Sequence, residues 1–298
     1  MTPLLGPRTL ERLARLDLGA ARAAGGAPGG ERLAGGAGTG TLFREHRTYA
    51  PGDDLRYVDW NAFGRLRSLH VKVFEREESV DVHLLLDRSA SMGAGPGSKL
   101  ETALRVAGLV GAVGLARNAV VRLQPVPAPE GADDGPRAYR GRGGTGPLLD
   151  ALRRVPGGAR APLGRALRPA FPRLRRRGLA LLVSDFLDEG DEPADGWRRA
   201  VDFLRHRRVR LVAVHVVAPE ERDPPVDGPL RLVDAESGDE LALDFDASAR
   251  ERYRARFAAH LREVGAYLRR REASHVVVDA GRDDAALLRT LLAAGVLR

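Results

Sequence analysis

Five nearly continuous apolar runs, spaced by helical patterns, constrain this chain more than any other feature. They are Val80–Leu86, Ala119–Val126, Leu179–Ser184, Val209–Val217 and Ser274–Asp279, typified by "LALLV" and "VRLVAVHVV". Strands without polar alternation belong in a sheet covered on both faces. The intervening segments Lys99–Arg117, Gly146–Val155, Pro162–Arg177, Ala194–Arg207, Ser248–Arg271 and Asp284–Ala294 have helical periodicity. Alternating strands and helices predict an α/β fold, a doubly wound, mostly parallel sheet. Pro169 and Pro172 should kink or split the third helix. "PLRLVDAESGDELALDF" interrupts the alternation as a β-hairpin insertion turning at Ser237-Gly238.

The helix "KLETALRVAGLVGAVGLAR" repeats glycine at 108, 111 and 114. Each costs about 1 kcal/mol relative to alanine in a helix interior. Close backbone approach to the sheet would offset that, and would fix the loop preceding the helix.

Upstream the texture changes. Residues 1–40 carry one short helical pattern (Leu10, Leu13, Leu16) and then a glycine-rich stretch, and are expected to form a mobile N-terminal segment. Residues 41–79 are expected to form a β/helix extension: a strand in "TLFREHRTY", a turn at "APGD", a short helix in "DDLRYVDWNAF" capped by Asp53, and a strand in "SLHVKVFE". Residues 80–298 then make the main domain.

The chain has no cysteine, which excludes disulfides, thiolate metal sites and cysteine nucleophiles. Its longest uncharged helical run, Val106 to Ala116, is too short to span a bilayer, and charged residues break every apolar stretch of the N-terminus. A cytoplasmic protein with no membrane span is therefore expected. The formal charge of +8 raises the question of nucleic acid. Nine arginines (153, 154, 160, 165, 168, 173, 175, 176 and 177) fall between Ala151 and Gly178 without a carboxylate. No aromatic residues interleave with them, so they read as a solvated helix face and argue against single-strand binding.

The first run of the alternating region ends in "LLLDRSASM", and the third in "VSDF". In an open parallel sheet, ligands sit at the carboxyl ends of the strands. Asp87, Ser89, Ser91 and Asp185 would place two carboxylates and two hydroxyls on one rim, an all-oxygen set suited to Mg²⁺, then Mn²⁺ or Ca²⁺. The plain alternative is a helix-entry loop whose serines cap backbone amides. The seven histidines have no ligand spacing, and neither a P-loop nor a nucleophile–histidine pairing is marked.

Asp87-Arg88-Ser89-Ala90-Ser91 resembles the Asp-x-Ser-x-Ser signature of the metal-ion-dependent adhesion site in von Willebrand factor A domains. Upstream, Arg-x-Tyr-x-x-Gly-Asp-Asp-x-Arg-x-x-Asp-Trp, from Arg47 to Trp60, resembles the bacterial domain-of-unknown-function family 58. That resemblance implies a von Willebrand factor A-like Rossmann fold. It also implies a partner: members commonly accompany MoxR-type AAA+ ATPases. A full adhesion site adds a threonine from a loop before the Asp185 strand. Thr145 lies in a "GGT" turn, but the later turn "PGGARAPLG" is the better counterpart by position and offers Ala159 and Ala161.

The expectation is a non-enzymatic, divalent-metal-dependent protein-binding module, an adaptor or chaperone partner of a MoxR-type AAA+ ATPase or its client. The alternatives are a metal-free scaffold, a basic-surface binder of nucleic acid, or an Mg²⁺-dependent hydrolase. The charged and aromatic residues Arg47, Tyr49, Asp53, Asp54, Arg56, Asp59 and Trp60 read as a structural cluster that clamps the N-terminal segment onto the main domain through ion pairs and one buried indole.

Overall fold

The computed structural model describes residues 3–19, 42–75, 80–93, 97–129, 137–169, 174, 178–188, 196–207, 209–234 and 238–298. The chain divides into two compact units, residues 27–79 and the remainder.

The larger unit is built on a six-stranded sheet. Its strands are β3 (Asp81–Asp87), β4 (Val120–Val126), β5 (Arg137–Arg140), β6 (Leu179–Ser184), β7 (Arg210–Val217) and β10 (Ser274–Asp279), in the order β10-β7-β6-β3-β4-β5. All neighbours are parallel except β5, which runs antiparallel to β4. The side chains alternate between two cores, as a strand requires. Val82, Leu84 and Leu86 face one cluster with α3 (Lys99–Ala116) and α9 (Asp284–Ala293). Leu85 faces the other, with α6 (Trp197–His206) and α8 (Ala247–Arg270). The sheet is thus covered on both sides, as the continuous apolar runs demand. From β3 the chain steps one way to β4 and β5, then crosses to β6, β7 and β10. The switch point lies between the carboxyl ends of β3 and β6.

The glycine-rich helix α3 packs as its sequence suggests, with one refinement. A Cβ on Gly111 or Gly114 would meet Leu84, Val82 or Val121 of the sheet, whereas one on Gly108 would meet Leu149, Leu5 and Leu4. Leu149 belongs to α4 (Thr145–Arg153), and the other two precede α1 (Pro7–Leu13). The N-terminal residues 3–19 therefore belong to the main unit rather than to a mobile segment of residues 1–40. Leu5, Leu13 and Leu18 are core residues, and Asp17 exchanges two backbone hydrogen bonds with Arg298 (2.7 and 2.9 Å). The glycine-rich stretch from residue 20 to 41 lies outside the described residues.

Other differences are local. The third helix of the sequence pattern, expected over Pro162–Arg177, is described only as α5 (Leu163–Leu167). It stops ahead of Pro169, where a ring and a missing N–H oppose continuation. Residues 170–173 and 175–177 lie outside the described part, with Arg173, Arg175, Arg176 and Arg177 among them. The hairpin insertion is β8 (Gly228–Val233) paired with β9 (Glu240–Phe245), preceded by the short α7 (Pro219–Arg222). Among the described residues, no helix is long and apolar enough to cross a membrane.

Gly178, just before β6, has its backbone against β3. A Cβ there would lie 2.6 Å from the Asp81 carbonyl oxygen, a backbone atom fixed in the sheet. Gly178→Ala is expected to lower stability by about 1–3 kcal/mol through overpacking, seen as a lower urea midpoint with unchanged slope.

In the smaller unit, β1 (Leu42–Thr48) pairs antiparallel with β2 (His70–Glu75), and α2 (Trp60–Leu66) lies between them in sequence. The signature residues here hold local geometry. Asp53 does not cap the helix; it accepts from Ala50 N–H (2.8 Å) and pairs with Arg47 (2.6 Å), closing the turn. Asp54 pairs with Arg56 (2.6 Å) and caps the short turn at Leu55–Tyr57. Asp59 caps α2 through Asn61 and Ala62 N–H (3.0 and 3.1 Å). These amides, with His46 and Lys72, hold its carboxyl down at about 2. The ion pairs join residues of this unit to one another, and the expected buried indole is not found. Trp60 is 62% exposed, and α2 buries none of its residues.

Candidate functional site

The register of β3 against β6 sets Leu86 opposite Val183, so the next residues, Asp87 and Ser184, meet at the rim. Asp87 is 3% and Asp185 2% exposed. Ser184 donates its hydroxyl to Asp87 Oδ2 at 2.6 Å and accepts from Phe186 N–H at 3.0 Å. Ser89 N–H donates to Asp87 Oδ1 at 2.9 Å, and the Ser89 and Ser91 hydroxyls lie 3.0 Å apart. Ser89 makes no side-chain cap to the turn that follows it. The capping of α3 falls to Ser98, whose Oγ accepts from Glu101 N–H (3.0 Å). The helix cap is thus supplied by Ser98 rather than by Ser89.

The rest of the loop is clamped from neighbouring segments. Arg88 donates to the carbonyls of Pro127 (2.7 Å) and Pro156 (3.0 Å). Ala159 exchanges backbone hydrogen bonds with Arg88 and Ala90 (3.0 and 2.9 Å), forming a bridge beside Ser89. The turn "PGGARAPLG" therefore occupies the place nearest the loop and brings alanine there. Thr145 starts α4 next to Gly144, which packs on Leu115 and Tyr139. Leu115 is at the far end of α3, about 25 Å of helix away from the loop. Thr145 does not reach the rim.

Two residues that carry no signal in the sequence complete the electrostatics. Lys99, 6% exposed at the first position of α3, donates to Asp185 Oδ2 at 2.7 Å and also to Glu221 of α7. A helix N-terminus disfavours a cation. Burial would also lower the Lys99 pKa, but Asp185 and Glu221 outweigh it, and the net shift is upward. The carboxylates remain in excess, with three (Asp87, Asp185 and Glu221) set against one ammonium. Burial first, and the Asp185 charge second, push the Asp87 carboxyl up to about 7 despite its hydrogen bonds. Behind the rim, Phe186 sits in left-handed backbone (φ +52), its ring between Trp197 and His215 at 5.9 and 5.2 Å. That conformation costs a β-carbon residue about 1 kcal/mol.

Three of the scattered histidines also meet here. His215 lies 5.6 Å from His275 and 6.1 Å from His260, ring to ring. Burial and its positively charged neighbourhood pull the His215 pKa down to about 3, so it is neutral. Among the described residues, no three or more His, Asp or Glu gather in a form that could hold a metal. The sequence-derived set of Asp87, Ser89, Ser91 and Asp185 holds two carboxylates and two hydroxyls. Its fit to a cation rests on charge: a divalent ion would offset an excess of buried negative charge that Lys99 only partly meets. The donors are all hard oxygens, as Mg²⁺ prefers. Asp185 has one oxygen on Lys99 and the other on Leu187 N–H (3.2 Å), so it is the more committed carboxylate.

The chain is 29% identical over 266 residues to uncharacterized protein Rv1480 of Mycobacterium tuberculosis, covering 88% of this chain and 82% of the relative. A counterpart in Mycobacterium bovis, Mb1516, matches to the same extent. Among solved structures, the conserved hypothetical protein BatB from Bacteroides thetaiotaomicron aligns over 72% of this chain and 98% of its own, at 16% identity and a TM-score of 0.41. The model of the family described as protein of unknown function DUF58 matches residues 45–263, the signature and most of the sheet included, and the chain belongs to that family.

Proposed function

We propose that this chain is a protein-binding module of von Willebrand factor A-like type, whose contact surface centres on a divalent cation held by Asp87, Ser89 and Ser91, with Asp185 flanking. The observation that carries the reading is the excess of buried carboxylates at the switch point of the sheet, with the Asp87 carboxyl lifted to about 7. When bound, the cation would offer open positions to a carboxylate of the partner. The chain's own residues hold Asp87 in place through Ser89 N–H and Ser184, and keep the loop rigid through Arg88 and Ala159. The partner implied by the family resemblance is a MoxR-type AAA+ ATPase or its client.

A second reading rests on Lys99. Its ammonium already neutralises Asp185 and part of Glu221, as a metal-free scaffold would need. Titration calorimetry with Mg²⁺ and Mn²⁺ separates the two, run in acetate so that a carboxylate is available in place of the partner's. Wild type is expected to bind, and Asp87→Ala to show no heat of binding. The cation must displace the Asp87 proton, so affinity at pH 6 should be about tenfold below that at pH 8. No binding by wild type at either pH would favour the scaffold.

A further inference from the structure

A cavity of about 290 Å³ opens beside the rim, lined by Leu187, Glu221, Tyr253, Arg256, Phe257 and His260. It shares two residues with the charged network. Glu221 accepts from Lys99, and Leu187 donates its N–H to Asp185. The walls are aromatic: Tyr253 and Phe257 lie one turn apart on α8, rings stacked at 6.1 Å and an interplanar angle of 13°. The Tyr253 hydroxyl is committed to the Glu221 carbonyl (2.7 Å), so the ring rather than the hydroxyl is what a guest would meet. Two groups lack partners. His260 Nε2 is buried without a hydrogen-bond partner. Arg256 is exposed and makes no ion pair among the described residues.

We propose that this cavity is a recognition pocket for an aromatic side chain of the acidic segment that docks at the rim. The volume is at the low end of ligand pockets, about 300–1,000 Å³, and suits one large side chain rather than a cofactor. Stacked Tyr253 and Phe257 offer edge and face contacts to a third ring. His260 lines the same wall and reports on occupancy of the cavity. Arg256, exposed on the same lining, matches a carboxylate next to the ring, and the Glu221 charge on that lining is partly met by Lys99. The partner motif is thus an aromatic residue adjoining an acidic one. The identity of the docking segment rests on the reading given under Proposed function; the pocket itself does not depend on a metal.

The test uses N-acetyl-L-tryptophan as probe on the full chain, with N-acetyl-L-tryptophanamide as the control lacking the carboxylate, followed by saturation-transfer and protein-observed NMR up to 20 mM. Expected is millimolar binding of the acid, with shifts at Leu187 and His260, unchanged by EDTA and unchanged in Asp87→Ala. Arg256→Glu should weaken it about fivefold and leave the amide unaffected. Leu187→Glu, at an exposed position, should weaken both probes about tenfold. No binding by either probe, or binding that neither variant alters, would overturn the pocket. Equal affinity for acid and amide would overturn the acidic motif. Binding that EDTA abolishes would overturn the independence from metal. Loss of metal binding in calorimetry with this pocket intact would sink only the metal reading.

Discussion

Asp87→Asn is expected to raise the melting temperature at pH 8 by about 4–8 °C while removing divalent-cation binding. An ordinary carboxyl titrates near 3.8, and burial with the Asp185 charge moves this one to about 7. The folded state therefore binds more protons than the unfolded state between those values. Stability is full below about 3.8 and declines as pH rises through 7, the reverse of a salt-bridged aspartate. The shift amounts to on the order of 4 kcal/mol, and relaxation of the loop in the ionised state leaves about 2 kcal/mol to be recovered. At roughly 2–4 °C per kcal/mol for a domain of this size, the gain follows. The amide keeps an oxygen for Ser89 N–H, and Ser184 can turn its hydroxyl to accept. At pH 5 the gap should shrink to well under its pH 8 size, and it should close as pH falls to about 3.8, where the unfolded carboxyl is protonated as well. Mg²⁺ should raise the wild-type melting temperature at pH 8 and leave the variant unmoved. A variant less stable than wild type at both pH values would make Asp87 a structural cap of its loop, and the electrostatic ground for a cation would go with it.

Sequence reasoning reaches as far as local signals do. The five strands are legible because each carries an apolar run long enough to stand out, fully buried in β6 and nearly so in β3 and β7; their observed limits differ by a residue or none. β5 gives no such run, since Arg137–Arg140 is an edge strand with exposed side chains and pairs on one side alone. Trp60 misleads for the converse reason: an indole in a charged cluster invites burial, but a seven-residue helix over a two-stranded sheet has no core to offer it. At the rim, Asp87, Ser89, Ser91 and Asp185 are legible because strand ends predict where ligands sit. Lys99 and Glu221 are not, since a buried ion pair between positions 122 residues apart leaves no pattern in sequence. The histidines converge for a similar reason. β7 and β10 are neighbours and α8 packs over them, so His215, His260 and His275 meet without ligand spacing.

Lys99→Met should be the most damaging change at the rim and also the one that best separates the two readings of the site. Removing one partner of a buried pair leaves the other charge without compensation, which costs about 3–5 kcal/mol. Asp185 is buried and cannot rehydrate, whereas Glu221 is partly exposed and can. The loss should therefore be reversed mainly by adding Asp185→Asn, giving a coupling of at least about 2 kcal/mol in a double-mutant cycle read by urea unfolding. Adding Glu221→Gln should recover less. The cation then acts as a second probe of the same charge. Lys99 and a divalent ion compete to neutralise one group of carboxylates, so without the ammonium Mn²⁺ should bind on the order of tenfold more tightly and restore much of the lost stability. A metal-free scaffold predicts the same destabilisation and the same rescue by Asp185→Asn, but no recovery with Mn²⁺. The charge deficit is common to both readings; whether a cation from solution can fill the place vacated beside Asp185 is what divides them.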